Sequence, residues 1–313
     1  MRSLLSSRAV FVSGKGGVGK TTVAAALALA SARMGRETLL AEVEQREGLA
    51  PAFGLEKLGH TERRIEPHLQ GISVEPDESL VEYLQHFYKI PRMSRALVQS
   101  RAVEFATQVA PGLRDILLVG RLKESEVRTG ARGQKVFDHV IVDAPPTGRL
   151  PRFLDAPRAI TEIVASGPVG RQARGVLDMI TSQQRAQVVL VTLPEELPLQ
   201  ETLESIEALR EVGVATGPVV CNQVWPRVLE PADRGSLIER GVAAGMQQAD
   251  AETMADVVSR AAERAERQHK LLRGFEDELG VAPIVLPYLF VAELRRGEVE
   301  TLGRALATSG RLA

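Results

Sequence analysis

Gly14-Lys15-Gly16-Gly17-Val18-Gly19-Lys20-Thr21 is the stretch that decides how this 313-residue chain is read. It fits G-x-x-x-x-G-K-[ST]. The β-branched and aromatic run Arg8–Ser13 precedes it, and the Ala/Leu-rich run Thr21–Met34 follows. A strand before and a helix after are the context that this spacing requires. The glycines let backbone N–H groups curl around phosphate oxygens, and the following helix turns its positive end to the same anion. Lys20 is placed to meet the β- and γ-phosphates, and the Thr21 hydroxyl to ligate Mg²⁺, with Thr22 beside it in the first turn. The stretch Gly14–Thr22 therefore predicts a nucleotide-binding P-loop that takes Mg²⁺ with its nucleotide.

Outward from this loop the chain alternates between strands and helices. Glu37–Val43, Gln70–Glu75, Val136–Asp143, Gln187–Thr192, Gly217–Cys221 and Val281–Leu286 read as strands. The amphipathic run Pro198–Val212, the Ala/Glu/Arg run Asp250–Arg273 and a last segment from about Gly297 read as helices. The pattern predicts an α/β fold, a P-loop NTPase with a mostly parallel, doubly wound sheet in one domain over residues 1–313. Such sheets bind ligands beyond the carboxyl ends of their strands. Residues 76–132 are too long for a simple crossover and are expected to form an inserted helical subdomain. Tyr83, Phe87, Tyr88 and Phe105 fall inside it, four of only twelve aromatic residues.

Composition excludes several classes. Lys+Arg total 39 against 40 Asp+Glu, so no strong positive field points to nucleic acid. The longest small-apolar stretch, Val23 to Ala32, falls well short of the roughly 20 residues of a spanning helix. One cysteine, Cys221, cannot build a disulfide framework or a multi-cysteine metal clamp, and the profile is that of a cytoplasmic protein. The chain has 32 Arg but only 7 Lys, and two of those seven are Lys15 and Lys20. In a chain that otherwise writes Arg for positive charge, ammonium groups at these two places suggest a chemical need.

A second constellation is Ile141-Val142-Asp143-Ala144-Pro145-Pro146-Thr147-Gly148 at the end of a hydrophobic strand. An acid there can hold Mg²⁺ through water, and the N–H of Gly148 can sense the γ-phosphate. An ordinary turn would use the same residue types.

At these blocks the chain resembles a known family. Lys15–Thr21 (KGGVGKT) is similar to the deviant Walker A motif, whose first lysine reaches across a dimer to the partner's nucleotide. Asp143–Leu154 resembles the D-T-A-P-T-G-H-T-L-R-x-L segment of the arsenite-pump and tail-anchored-protein-targeting ATPases. Thr192–Thr202 is similar to their P-E-x-L-x-x-x-E-T segment, and Val220–Gln223 to their V-N-Q block. Leu286-Pro287 and Glu293–Gly297 fit the closing strand and turn. The resemblance covers nearly the whole chain, and actinobacterial-type anion-transporter homologues look nearest in wording.

The resemblance implies that the nucleotide is ATP, that Asn222 hydrogen-bonds adenine and that Glu195 and Pro287 line the base and ribose pocket. It implies Lys15 acting across a homodimer, or a heterodimer with a paralogue, although a solvated loop lysine would read the same way. It also implies a protein client or membrane partner. The family's water-positioning Asp aligns with Glu44, which keeps a carboxylate on a longer arm, so slow hydrolysis is expected; Glu42 is a weaker candidate for that role. No cysteine follows the V-N-Q block, so neither a zinc site nor arsenite sensing is expected. Three outputs stay open: a client-targeting ATPase, the energising subunit of an anion transporter, and a slow or non-hydrolysing ATP sensor.

Overall fold

The computed structural model describes residues 3–43, 48–75, 79, 112–163, 166–227 and 234–313. Their centre is an eight-stranded sheet. In chain order its strands are β1 (Ala9–Gly14), β2 (Thr38–Val43), β3 (Arg63–Glu66), β4 (Leu69–Val74), β5 (His139–Asp143), β6 (Ala186–Thr192), β7 (Val220–Val224) and β8 (Ile284–Pro287). They lie in the order β3-β4-β2-β5-β1-β6-β7-β8. Every adjacent pair is parallel except β3 with β4. The expected mostly parallel sheet is therefore present. From β1 the chain passes first to one side, through β2, β4 and β5, and later to the other, through β6, β7 and β8. That reversal puts the end of β1 at a topological switch point, where doubly wound sheets bind ligands.

The central strands are buried on both faces, which explains why β1, β2, β5 and β6 read as continuous apolar runs. Successive side chains still go to opposite layers. Val10, Val12, Leu40, Ile141, Val189 and Val191 share one core, and Ala9, Phe11, Leu39, Val140, Val142 and Val188 share the other.

The first layer holds α1 (Lys20–Arg33), the short α2 (Leu49–Ala52) and, far along the chain, a helix over Arg296–Thr308. α1 is buried almost all round, so its Ala/Leu sequence has no polar face. The late helix lies close against it: a Cβ on Gly303 would stand 3.1 Å from the Ala26 carbonyl oxygen.

The second layer is built from α3 (Leu113–Val127), α4 (Leu150–Ile163), α5 (Gly167–Thr181) and α6 (Glu196–Glu211). Leu118, Val119 and Leu122 of α3 pack with Phe11 and Val142 of the sheet. The sheet's own cover thus reaches back into the segment expected as an insert. The aromatic residues between 83 and 105 lie outside the described residues.

α7 (Arg234–Ala243) packs on α8 (Gln248–Leu279), a 32-residue helix that buries mostly alanines in its first half. Phe275 near its end enters the second core. The Arg296–Thr308 helix is α9. No helix among the described residues is long and apolar enough to cross a membrane.

Candidate functional site

β1 delivers its last residue, Gly14, into contact with β6, where a Cβ would collide with the Val191 carbonyl oxygen and press on Val18. Only glycine fits that approach. At Gly19 the backbone is left-handed (φ 91°), and a Cβ would collide with the Asn222 amide. Gly16 and Gly17 face open space, with nothing within 4 Å of a Cβ built on either. Gly14 and Gly19 let the loop pack tightly, and Gly16 and Gly17 leave its outer side open.

Lys20 begins α1 and is buried; its Nζ donates to the Lys15 carbonyl at 2.7 Å, across the mouth of the loop. Thr21 Oγ1 donates to Asp143 Oδ2 at 2.7 Å. Asp143 ends β5, fully buried beside β1, where its Cα partner is Val12. The turn after Asp143 is stitched to the same loop. Ser13 Oγ donates to the Pro145 carbonyl at 2.6 Å, and the N–H of Thr147 to the Gly14 carbonyl at 3.2 Å. Gly148 is exposed in this turn. The two sequence blocks therefore meet at one point, although over a hundred residues separate them. Thr22 follows half-buried in the first turn of α1.

Of the residues expected around a base, two lie on the adjacent strands β7 and β8. Asn222 lies inside β7 rather than in a turn after it, buried, and its Nδ2 donates to the Val18 carbonyl at 3.0 Å. It braces the phosphate loop from behind while keeping its second N–H and its carbonyl oxygen. Pro287 ends β8 and pairs with Val224. Glu195 is exposed just before α6.

Sequence reasoning missed an aromatic cluster beside these strand ends. Trp225 stacks on Tyr288 with ring centroids 5.6 Å apart, and Phe290 meets both edge-on at 4.8 Å. Arg264 of α8 lies 4.9 Å over the Trp225 ring. In a chain with 4% aromatic residues, a Trp two residues after Gln223 was the available signal.

Lys15 takes a different direction from Lys20. Its side chain is 55% exposed, and its Nζ sits 2.6 Å from Glu201 Oε1 on α6. A second ion pair joins the turn at Gly148 to α3: Arg149 Nη2 lies 2.6 Å from Asp115 Oδ1. Burial works against both partners, lowering the Arg149 pKa and pushing the Asp115 carboxyl up to about 6 against the pull of the Arg114 guanidinium. Burial also pushes the Cys221 thiol well above its ordinary range, so it packs as a small apolar group. Glu44 lies outside the described residues.

The donors brought together suit a nucleoside triphosphate with a hard divalent cation. An ammonium stands at the loop, and a hydroxyl and a carboxylate 2.7 Å apart are oxygen donors of the kind such a cation takes.

Comparison with known proteins agrees with this chemistry. The family model described as "Anion-transporting ATPase" matches residues 7–167 and 168–243. The "ATPase BagA" of Mycobacterium tuberculosis is 45% identical over 233 residues, covering 73% of this chain and 68% of the relative. The "ATPase get3" of Schizosaccharomyces japonicus is 28% identical over 249 residues, covering 69% of this chain and 74% of that protein. The "Arsenical pump-driving ATPase" of Acidiphilium multivorum is 27% identical over 233 residues, covering 69% of this chain and 39% of its own length.

Proposed function

We propose that this chain, which belongs to the anion-transporting ATPase family and is an ATPase, works as a dimeric, magnesium-dependent nucleotide switch coupled to a client or membrane partner. The supporting observation is the direction of Lys15. Its ammonium is exposed and paired with Glu201, while Lys20 already covers the loop from within the chain.

The loop N–H groups from Gly14 to Thr22 and the Lys20 ammonium bind and orient the ATP phosphates. Thr21 and Asp143 would hold Mg²⁺, which neutralises charge on the oxygens of the transferred phosphoryl group. Asn222, Glu195 and Pro287 enclose the base and ribose. Glu44 orients the attacking water, accepting its proton as the oxygen attacks. Lys15 leaves Glu201 and meets the partner subunit's nucleotide, adding positive charge where negative charge develops. Hydrolysis then loosens the turn at Gly148, and Arg149 carries that change to α3 through Asp115. The second partner in this scheme, a protein client or a membrane protein, would sense the far end of that link.

The test is steady-state ATP hydrolysis together with light-scattering mass, with ATP, ADP and a non-hydrolysable analogue. Glu44→Gln should lose turnover and keep an ATP-dependent dimer. A monomer under all three nucleotides would remove the dimeric switch. Turnover that appears only when a paralogue is added would make the assembly a heterodimer.

A further inference from the structure

Beside Asp143 the sheet buries a second carboxylate. Glu42, near the end of β2, is 1% exposed. Leu40 belongs to the core shared with α1, and Glu42, two residues on, leaves β2 on that same face. Ile141 and Asp143 are related in the same way on β5. Glu42 and Asp143 are Cα partners on these adjacent parallel strands. Such strands stand about 4.8 Å apart, so the two acids leave the sheet side by side on the α1 face.

Burying one carboxylate is costly unless hydrogen bonds replace its water, and a second acid alongside adds like-charge repulsion. Glu42 has the hydrogen bonds. Its Oε1 accepts the N–H of Gly48 at 2.7 Å and the N–H of Leu49 at 3.2 Å. Those neutral groups hold the side chain in place without cancelling its charge. The same contact brings Glu42 to Thr21. A Cβ on Gly48 would stand 3.1 Å from Thr21 Cγ2, 3.6 Å from Thr21 Oγ1 and 3.8 Å from Glu42 Oε1. Thr21 Oγ1 in turn donates to Asp143 Oδ2 at 2.7 Å. Oxygen-bearing side chains from α1, β2 and β5 therefore gather at one place, a donor set that suits a hard divalent cation.

We propose that Glu42 is a third member of the magnesium site, acting with Asp143 on the cation bound at Thr21. This rests on the reading of Thr21 and Asp143 as the residues that hold Mg²⁺. Oε1 already accepts two N–H groups, so Glu42 acts through its charge and the water shell of the cation, not as a direct ligand. Mg²⁺ gives up its water reluctantly and usually keeps several of these molecules, which carboxylates around it can hold. Groups in that outer position change metal affinity by about 10- to 100-fold. Two buried acids in place of one make the loop's nucleotide depend more strongly on its divalent cation.

The test measures binding without turnover. Mn²⁺ is titrated into the protein with saturating ADP and followed by the paramagnetic resonance signal of the free ion, and Mg²⁺ is then added as competitor. Glu42→Gln keeps the size and an acceptor oxygen for Gly48 and Leu49 but removes the charge. It should weaken both cations about 10-fold, with metal-free ADP affinity within about twofold of wild type. Glu42→Asp keeps the charge and should hold both cations within about threefold of wild type. Asp143→Asn is the reference, expected to lose cation affinity whatever Glu42 does. Denaturant midpoints check that each variant folds; should Glu42→Gln fail to fold, Glu42→Asp alone decides.

Normal cation affinity in Glu42→Gln with a loss in Asp143→Asn overturns the part given to Glu42 and leaves the magnesium reading standing. Normal affinity in both variants removes the magnesium reading and Glu42 with it. A Glu42→Asp protein that has lost 10-fold or more overturns the role of charge, since the carboxylate is still there. Unchanged cation affinity with lost ATP turnover in Glu42→Gln makes Glu42 a water-orienting acid and also overturns the proposal.

Discussion

The two ends of the phosphate loop carry the same side chain in opposite circumstances. Lys20 is buried, covers the loop mouth and bonds a backbone carbonyl of its own loop. Lys15, five residues earlier, stands in solvent and holds a carboxylate from a distant helix. A buried ammonium is tied to its place, because moving it exposes or strands a desolvated charge. An exposed ion pair is worth about 0–1 kcal/mol and can be exchanged for another anion at little cost. One loop thus carries a fixed cation and a loosely tethered one, which in the proposed switch serve its own nucleotide and the partner subunit's.

That contrast can be broken in order of expected effect. Lys20→Ala should weaken ATP binding by about 100-fold, the scale of a lost charge-assisted contact of about 2–3 kcal/mol. Equilibrium titration with a fluorescent ATP analogue measures it, and retained affinity would remove the fixed role assigned to this end. Lys15→Ala should leave ATP affinity within about twofold while kcat falls about 10-fold or more, the pattern of a group acting only in the closed state. Equal losses in binding and turnover would put both lysines on one nucleotide.

The third prediction concerns the link from the turn at Gly148 to α3. Burial holds the Asp115 pKa near 6, above the ordinary value of 3.8, so the folded protein takes up this proton more readily than the unfolded chain. Stability from this group is therefore fully present below about pH 4 and is lost as the pH rises through about 6. Asp115 remains partly solvated, so the effect is on the order of 1 kcal/mol after allowance for screening. Denaturant midpoints across that window should show the slope in the wild type and lose it in Asp115→Asn.

The smallest effect sharpens the comparison. Glu201→Gln should change unfolding stability by less than about 1 kcal/mol. A loss of several kcal/mol would mean that Lys15 is held as firmly as Lys20.

The features legible in the sequence were those whose residue types sit at fixed offsets from a strand end. The P-loop and the Asp143 block needed only the following turn and helix to be interpreted. Asn222 was harder. Asn and Gln are poor strand formers, so β7 read as ending at Cys221, whereas pairing with β8 carries it through to Val224 across a bulge at Gln223 (φ 59°). The edge strand β3 escaped because Arg63-Arg64 is exposed and leaves no apolar alternation to read. α7 escaped because, on ten residues, it buries only Leu237 and Gly241. Contacts such as Lys15 with Glu201 and Glu42 with Gly48 depend on tertiary placement or on a local turn, and no spacing rule announces them.

The close seat of α9 on α1 bears on how the molecule comes into being on the ribosome. The apolar back of the phosphate-loop helix is covered by residues 296–308, made long after α1 itself. Leu4 and Leu5 likewise donate their N–H groups to Arg311 and Leu312. A nascent chain that has already emitted its nucleotide motif must carry an unshielded Ala/Leu surface until those late residues emerge. Such delayed, long-range closure slows folding and leaves sticky intermediates. Chaperone demand during synthesis should accordingly be governed by the arrival of α9.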